Sequence, residues 1–212
     1  MAAQRHDADA SRRPIRARGN RLIQGLAGAL ARSPLTPNAI SVLSIAFAAG
    51  GAAALLWWPS WGAWCCALGI QLLLLCNLLD GMVAVEGGQS TPTGALYNEV
   101  PDRIADSLLL VALGHAASVP WAGWAAALFA AATAYIRTLG GSLGLAQDFR
   151  GPMAKQHRMA LMTVACLLAP LEALWAGSRH ALVLAVCVIA AGALLTCVTR
   201  LRAIARQLEA GA

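Results

Sequence analysis

The sequence predicts an all-α integral membrane protein with about six transmembrane helices and an N-terminal interfacial helix. Three observations support this fold class. Of the 212 residues, 58% are hydrophobic and only 12% are charged, whereas soluble domains average about 25% charged residues. The apolar residues form runs close to the length, roughly 20 residues, that a helix needs to cross a bilayer. Arginine and tryptophan collect at opposite ends of these runs.

Six segments are long enough to span a membrane. Five of them are predominantly apolar: 39–58, 61–79, 119–136, 159–175 and 181–199. The sixth, 95–117, has the right length, but its first half carries Glu99, Asp102, Arg103 and Asp106. Because unpaired backbone groups are costly in lipid, we expect each segment to be helical. The polar half of the sixth segment then calls for a functional explanation.

This pattern divides the chain into three parts. Before the first span, apolar residues from Leu22 to Leu30 recur at helical spacing, which predicts an amphipathic helix in the membrane surface. Thr36 and Pro37 then form a typical helix start. We therefore predict a basic cytoplasmic tail with an interfacial helix in 1–35, a six-helix transmembrane domain in 36–202 and a short cytoplasmic tail in 203–212.

The charged and aromatic residues predict an orientation. Seven arginines lie in the first 35 residues, and further cations lie between the fourth and fifth spans and after the sixth. All seven tryptophans fall at the opposite ends of the spans. Cytoplasmic loops carry an excess of arginine and lysine, so we expect a multi-pass protein of the cell (inner) membrane with both termini in the cytoplasm. The net charge of +6 fits contact with membrane lipids and requires no nucleic acid.

Polar side chains form a stripe on each of two successive spans. Asn77 and Asp80 lie three residues apart at the end of the second span, and Asn98, Asp102 and Asp106 lie four apart at the start of the third. These spacings place side chains on one face of a helix. Because the connection is short, we expect the two helices to be antiparallel neighbours whose stripes face each other. Carboxylate and amide oxygens suit Mg²⁺ or Mn²⁺. A purely structural alternative pairs the acids with Arg103 and Arg137.

The spacing resembles the signature of the CDP-alcohol phosphatidyltransferases, which is D-x2-D-G-x2-A-R-x8-G-x3-D-x3-D. Every spacing is kept, and five positions match: Asp80, Gly81, Ala84, Gly94 and Asp102. Three positions depart: Asn77, Val85 and Asn98. The family's usual start of the first helix, Thr-Pro-Asn, occurs here at residues 36–38. The resemblance covers most of the chain after residue 35.

The resemblance implies an activity and a set of site residues. The family transfers a phosphatidyl or related phospho-alcohol group from a CDP-activated lipid, such as CDP-diacylglycerol, to a hydroxyl acceptor in phospholipid biosynthesis, and it releases CMP. It makes 36–202 the catalytic domain and Mg²⁺ or Mn²⁺ the cofactor. The implied metal ligands are Asn77, Asp80, Asn98 and Asp102, with Asp102 also the general base. A homodimer is one assembly that this reading allows.

Substrate binding is predicted for a second set of residues. Gly81 leaves room for a ligand beside the helix backbone. Ala84 and Gly94 belong to the same signature. The cations Arg137, Lys155 and Arg158 lie at the same predicted membrane depth and suit phosphate. The family often has a lysine in the loop of Lys155, whereas plain positive-inside charge explains Arg158 equally well.

Two other functions stay open at this stage. The two Asp-to-Asn departures reduce the signature charge from −4 to −2, which should weaken metal binding or leave one cation instead of two. They also fit a catalytically silent homologue that binds a CDP-lipid or scaffolds a partner. Acids in a membrane also mark ion paths, so a small cation transporter is a third reading, although the outer halves of the spans are apolar.

Overall fold

The computed structural model describes residues 20–89, 91–178 and 180–211. Within these ranges the protein forms seven α-helices and no strands. In chain order they are α1 (Arg21–Ala31), α2 (Pro37–Trp57), α3 (Gly62–Glu86), α4 (Gly94–Ala116), α5 (Pro120–Ser142), α6 (Lys155–Ala176) and α7 (His180–Gly211). The all-α prediction is confirmed. The predicted basic tail, up to residue 19, lies outside the described residues.

Four helices, α2, α3, α6 and α7, are long and apolar enough to cross a membrane. The other two helices of the bundle, α4 and α5, have 23 residues each. They differ from the four in composition rather than length, because α4 carries charged residues in its first half and α5 is rich in alanine. The structure is that of an all-α membrane protein, with α4 and α5 packed among the apolar helices.

The six long helices form a closed ring of contacts. α2 packs along both α3 and α4, α4 packs on α5, α5 on α7, α7 on α6, and α6 on α3. Buried Ile70, Leu73, Leu109, Leu113 and Met162 lie in the core between them. The helices α3 and α4, which we expect from the sequence to be antiparallel neighbours, make only a slight direct contact, because α2 lies against both. The polar ends of α3 and α4 therefore face each other without close backbone contact, and side chains occupy the space between them.

Glycines allow the closest helix contacts. A Cβ on Gly69 of α3 would lie 2.8 Å from Phe47 O and 3.2 Å from Gly51 Cα of α2. A Cβ on Gly114 of α4 would lie only 2.5 Å from Gly123 Cα of α5. Small residues at such crossings let helix backbones approach in membranes. These contacts fix α3 and α4 on either side of the polar gap.

The helix ends separate a polar end from an aromatic end. Thr36 caps α2 by accepting a hydrogen bond from Ala39 N, as the sequence predicts. The tryptophans at the opposite end are exposed around the α2–α3, α4–α5 and α6–α7 turns. α1 packs on α3 near the polar end through Ala27 and Leu30. α7 continues to Gly211, so the segment predicted as a C-terminal tail is helical as far as the structure describes it.

Candidate functional site

The two polar stripes meet at the polar end of the bundle, where α3 ends and α4 begins. Asn77 Nδ2 donates a hydrogen bond of 2.6 Å to Asp102 Oδ1 across the gap. The amide oxygen of Asn77 takes no part in this bond. The predicted facing of the stripes is thus realised through side chains, although the helix backbones stay apart.

Asp80 lies on the same stripe as Asn77 and is almost completely buried. Its Oδ2 accepts a hydrogen bond of 2.5 Å from Ser41 Oγ, which lies at the start of α2. Ser41 is also buried, and its hydroxyl approaches Pro37 O at 3.2 Å. Three helices therefore contribute to the site, and α2 supplies a hydroxyl that holds one carboxylate.

Lys155 lies between two carboxylates of α4. Its Nζ is 2.5 Å from Asp102 Oδ1 and 3.5 Å from Asp106 Oδ1. Lys155 is the first residue of α6, so the loop before it determines where its ammonium group lies. The structure brings Lys155 and Asp102, both predicted from the sequence, into direct contact.

Arg158 lies one turn further along α6 and is 1% exposed. Its Nη2 pairs with Asp106 Oδ2 at 2.8 Å, and its Nη1 donates to Met153 O at 2.9 Å. Both Nη atoms contact buried protein groups, so this guanidinium joins α6 to α4 one turn after Lys155. The phosphate-binding role suggested for Arg158 stays a prediction, and it would require this buried pair to open.

Glu99, the third acid of α4, also has a basic partner, and Asp102 has a second one. Glu99 pairs with Arg137 of α5, whose Nη1 also donates to Gln147 Oε1 at 2.9 Å. Arg103 Nη2 lies 3.4 Å from Asp102 Oδ2. Arg103 and Arg137 therefore pair with acids of α4, as the purely structural alternative expects. These ion pairs lie around the contact between Asn77, Asp102 and Lys155 and do not replace it. A substrate role for Arg137 stays a prediction.

The other signature positions border more open space. A Cβ on Gly81 would meet no atom within 4 Å, and one on Gly94 would make only an ordinary contact with Thr91. Asn98 is exposed one turn before Asp102, and Ala84 is half-buried on α3. The Asn98 side chain forms no hydrogen bond with another described residue. Its predicted role as a ligand is not supported by a direct contact.

Hydrogen bonds with α7 hold the loop that precedes Lys155 in place. Buried Arg200 of α7 donates from Nε to Arg150 O at 2.8 Å and from Nη1 to Thr133 O at 2.6 Å. Met153 N donates to Thr196 Oγ1 at 3.0 Å. The sequence pattern attributed Arg200 to membrane orientation alone, and nothing in it indicated this bracing role. Asp106 belongs to the predicted stripe of α4, one turn after Asp102, but it is not among the site residues that the sequence predicts.

The site contains oxygen donors of the class that a divalent cation binds. Among the described residues, no three His, Cys, Asp or Glu side chains gather as a metal cluster. Asp80, Asp102 and the amide oxygen of Asn77 are nonetheless hard oxygen donors on facing stripes, the class of ligand that Mg²⁺ and Mn²⁺ prefer. Asp106 Oδ1 is buried and accepts no hydrogen bond from the described residues, although Lys155 Nζ lies 3.5 Å from it.

Comparisons with known proteins agree with this architecture. The sequence matches the CDP-alcohol phosphatidyltransferase family over residues 34–198. No curated protein sequence matches the chain significantly.

Solved structures share the fold. The Mycobacterium tuberculosis phosphatidylinositol phosphate synthase with CDP-DAG bound superimposes with a TM-score of 0.72 at 23% identity, over 87% of this chain and 94% of that one. The same synthase in complex with manganese and citrate gives a TM-score of 0.72 at 23% identity, over 86% and 88%. Its apo form gives 0.67 at 22% identity, over 84% and 93%.

Proposed function

Because this chain belongs to the CDP-alcohol phosphatidyltransferase family, we propose that it transfers the phosphatidyl group of a CDP-activated lipid such as CDP-diacylglycerol to a hydroxyl acceptor. The observation that carries the proposal is the contact of Asn77 and Lys155 with Asp102 Oδ1, at 2.6 and 2.5 Å, on facing stripes at one end of the bundle. The fold shared with the synthase that binds CDP-DAG supports a nucleotide-lipid donor.

Asp80, Asp102 and Asn77 are the residues that would hold Mg²⁺ or Mn²⁺. A bound divalent cation neutralises pyrophosphate charge and makes CMP a better leaving group. The manganese complex of the structurally similar synthase supports a divalent cofactor. With amides at two signature positions, we expect weaker metal binding or one bound cation instead of two.

Asp102 is the proposed general base. The acceptor hydroxyl oxygen attacks the phosphorus that bears the lipid, and its proton passes to an Asp102 carboxylate oxygen. The bond from that phosphorus to the oxygen of CMP breaks, and CMP leaves with the electron pair. A base must lie within hydrogen-bond reach of the hydroxyl. Lys155, adjacent to Asp102 in the structure, is placed to stabilise negative charge on the transferred phosphate.

The test supplies CDP-diacylglycerol, Mg²⁺ and a panel of hydroxyl acceptors to the purified protein and measures CMP and lipid products by mass spectrometry. Wild type should release CMP, and Asp102→Asn should reduce the rate by about a hundredfold or more, as expected for loss of a general base. Glu209→Gln, a charge-matched change at an exposed position of α7, should have no effect. Equal rates for wild type and Asp102→Asn would refute the base assignment.

A catalytically silent CDP-lipid-binding homologue is the second candidate. The observation in its favour is that amides occupy two signature positions while Lys155 and Arg103 already pair with Asp102. Tight binding of CDP-diacylglycerol without CMP release in any acceptor mixture would establish this function instead.

We further propose that the polar end faces the cytoplasm of a cell-membrane protein. The arginine-rich N-terminal sequence precedes α1 at this end, and the exposed tryptophans lie at the other. Gly88 and Ser60 are exposed in turns at opposite ends. On sealed cells, a membrane-impermeant thiol reagent should label Ser60→Cys and spare Gly88→Cys. The reverse result would invert the orientation.

A further inference from the structure

A basic pocket lies at the polar end of α7, outside the cluster around Asp102. Its volume is about 270 Å³, and it is lined by Arg150, Thr199, Arg202, Ala203 and Arg206. The lining residues of α7 that follow Thr199 lie three, four and seven positions after it, so all four share one face of the helix. Arg150 reaches the pocket from the loop between α5 and α6. Three arginines therefore line one small cavity.

The cationic side chains at the pocket outnumber the acidic side chains beside it. Arg150 Nε lies 3.0 and 3.1 Å from the two carboxylate oxygens of Asp148. Burial alone would raise the pKa of Asp148, but its bonds to the Arg150 side chain and backbone lower it, so this acid is ionised at neutral pH. The side chains of Arg202 and Arg206 form no hydrogen bond or ion pair with another described residue. Glu209, exposed on the same helix face, pairs with neither of them. Asp148 therefore balances one of the three guanidinium groups, and no anion among the described residues balances the other two.

The pocket is separate from the catalytic cluster. Arg200, which lies between Thr199 and Arg202 in sequence, donates to Thr133 O and Arg150 O. It does not line the cavity. The two sites share only the loop that runs from Arg150 to Lys155. A ligand in the basic pocket would contact this loop without entering the space around Asp102.

The surroundings of the pocket point to a lipid rather than a soluble anion. α7 has 32 residues, so it is about 48 Å long at about 1.5 Å per residue. This exceeds a hydrocarbon core of roughly 30 Å, and the arginines near its C-terminal end lie beyond that core. Leu184, Val188 and Leu195 are exposed on the same helix face as Thr199. An apolar stripe therefore leads along the span to the arginines.

We propose that this pocket binds the headgroup phosphate of an anionic membrane phospholipid, whose acyl chain lies along the exposed stripe of Leu184, Val188 and Leu195. Guanidinium groups pair with phosphate oxygens through two parallel hydrogen bonds. The anionic headgroup supplies the negative charge that the pocket lacks, and the exposed apolar side chains contact the acyl chain. The site is distinct from that of the CDP-lipid donor.

The test measures lipid binding directly, in the absence of any CDP-lipid. Native mass spectrometry of the full chain in a neutral detergent would give affinities for phosphatidylglycerol, for phosphatidylcholine with the same acyl chains and for soluble glycerol phosphate. The variant is Arg202→Gln with Arg206→Gln, both exposed positions. The matched control is Arg21→Gln with Arg32→Gln, which removes the same charge from positions in and beside α1.

Wild type should bind phosphatidylglycerol more tightly than phosphatidylcholine, and the Arg202/Arg206 variant should bind it about tenfold more weakly or worse, given the usual gain per arginine at anionic lipid. The Arg21/Arg32 control should change affinity less than about twofold. Equal weakening by both pairs would reduce the effect to general surface charge and overturn the proposal. Glycerol phosphate binding as tight as phosphatidylglycerol would also overturn it, because the ligand would then be a soluble phosphate.

Discussion

Arg158 Nη2 lies 2.8 Å from Asp106 Oδ2, and this ion pair joins α6 to α4 where both side chains are almost fully buried. Removing one partner of such a pair leaves an uncompensated charge and costs about 3–5 kcal/mol. Arg158→Met should therefore lower the thermal unfolding temperature in detergent sharply. Lys155 also lies 3.5 Å from Asp106 Oδ1, so we expect a value at the lower end of that range.

Two comparisons separate this effect from general loss of charge. Arg206→Met removes the same group from an exposed position and should change stability by about 0.5 kcal/mol or less. Arg158→Met combined with Asp106→Leu should recover part of the loss, since no charge is then left unpaired. An Arg158→Met protein as stable as wild type would show that the pair does not hold α6 to α4.

The sequence predicts the local features of the fold well and the long-range pairs poorly. The Thr36 cap and the face shared by Asn77 and Asp80 depend on residues three or four apart, so the pattern alone determines them. The contact between Asp102 and Lys155 joins residues 53 apart in the chain, and it depends on how α6 packs in the ring. Local pattern cannot supply such a distance.

Arginines are the hardest residues to interpret from sequence. A positive-inside charge, a buried brace and a phosphate ligand all occur as an arginine near the end of a span. The structure separates them by burial: Arg158 and Arg200 are almost fully buried and bonded to the protein, whereas Arg202 and Arg206 are exposed. The close packing of α2 against both α3 and α4 is likewise not predictable from a short connecting loop.

Gly151 should tolerate no side chain. Its φ is +126°, and a Cβ would lie 2.3 Å from Thr196 Cγ2, so both backbone strain and a clash oppose substitution. Gly151→Ala should destabilise the protein by about 2 kcal/mol or more and reduce CMP release, because this loop positions Lys155. Gly144 has φ +82°, but a Cβ there would meet no atom within 4 Å, so Gly144→Ala should cost only the backbone strain. Equal decreases in the unfolding temperature of the two variants would show that a clash with Thr196 does not contribute.

Ser41 should position Asp80 for its proposed role as a ligand. Ser41→Ala removes the hydroxyl that donates to Asp80 Oδ2 at 2.5 Å, and a hydrogen bond to a charged group contributes about 1.5–3 kcal/mol. We expect the metal midpoint for CMP release to rise by about tenfold. The control is Ser44→Ala, since Ser44 is also buried on α2 but donates to Ser41 O. If both variants shift the midpoint equally, Ser41 acts through packing alone.

The two signature asparagines should respond differently to restoration of aspartate. Asn77 Nδ2 lies 2.6 Å from Asp102 Oδ1, whereas the Asn98 side chain is exposed and has no hydrogen bond to another described residue. Asn77→Asp would place a second carboxylate against Asp102. Two such charges about 4 Å apart interact by roughly 4 kcal/mol at an effective dielectric of about 20. Lys155 offsets part of this repulsion, and a bound cation would relieve the rest.

Asn77→Asp should therefore lower the Mg²⁺ or Mn²⁺ concentration for half-maximal CMP release by about tenfold or more, since a unit of charge is added beside the proposed cation. Asn98→Asp should shift this concentration by about threefold or less.

The unfolding temperature should fall in the Asn77→Asp protein without metal and recover when Mn²⁺ is added, a readout independent of turnover. Turnover itself need not rise, because tighter ground-state binding does not lower the barrier. An unchanged midpoint and no Mn²⁺-dependent recovery would show that Asn77 does not face the cation, and the assignment of Asp80, Asp102 and Asn77 as its ligands would then have to be abandoned.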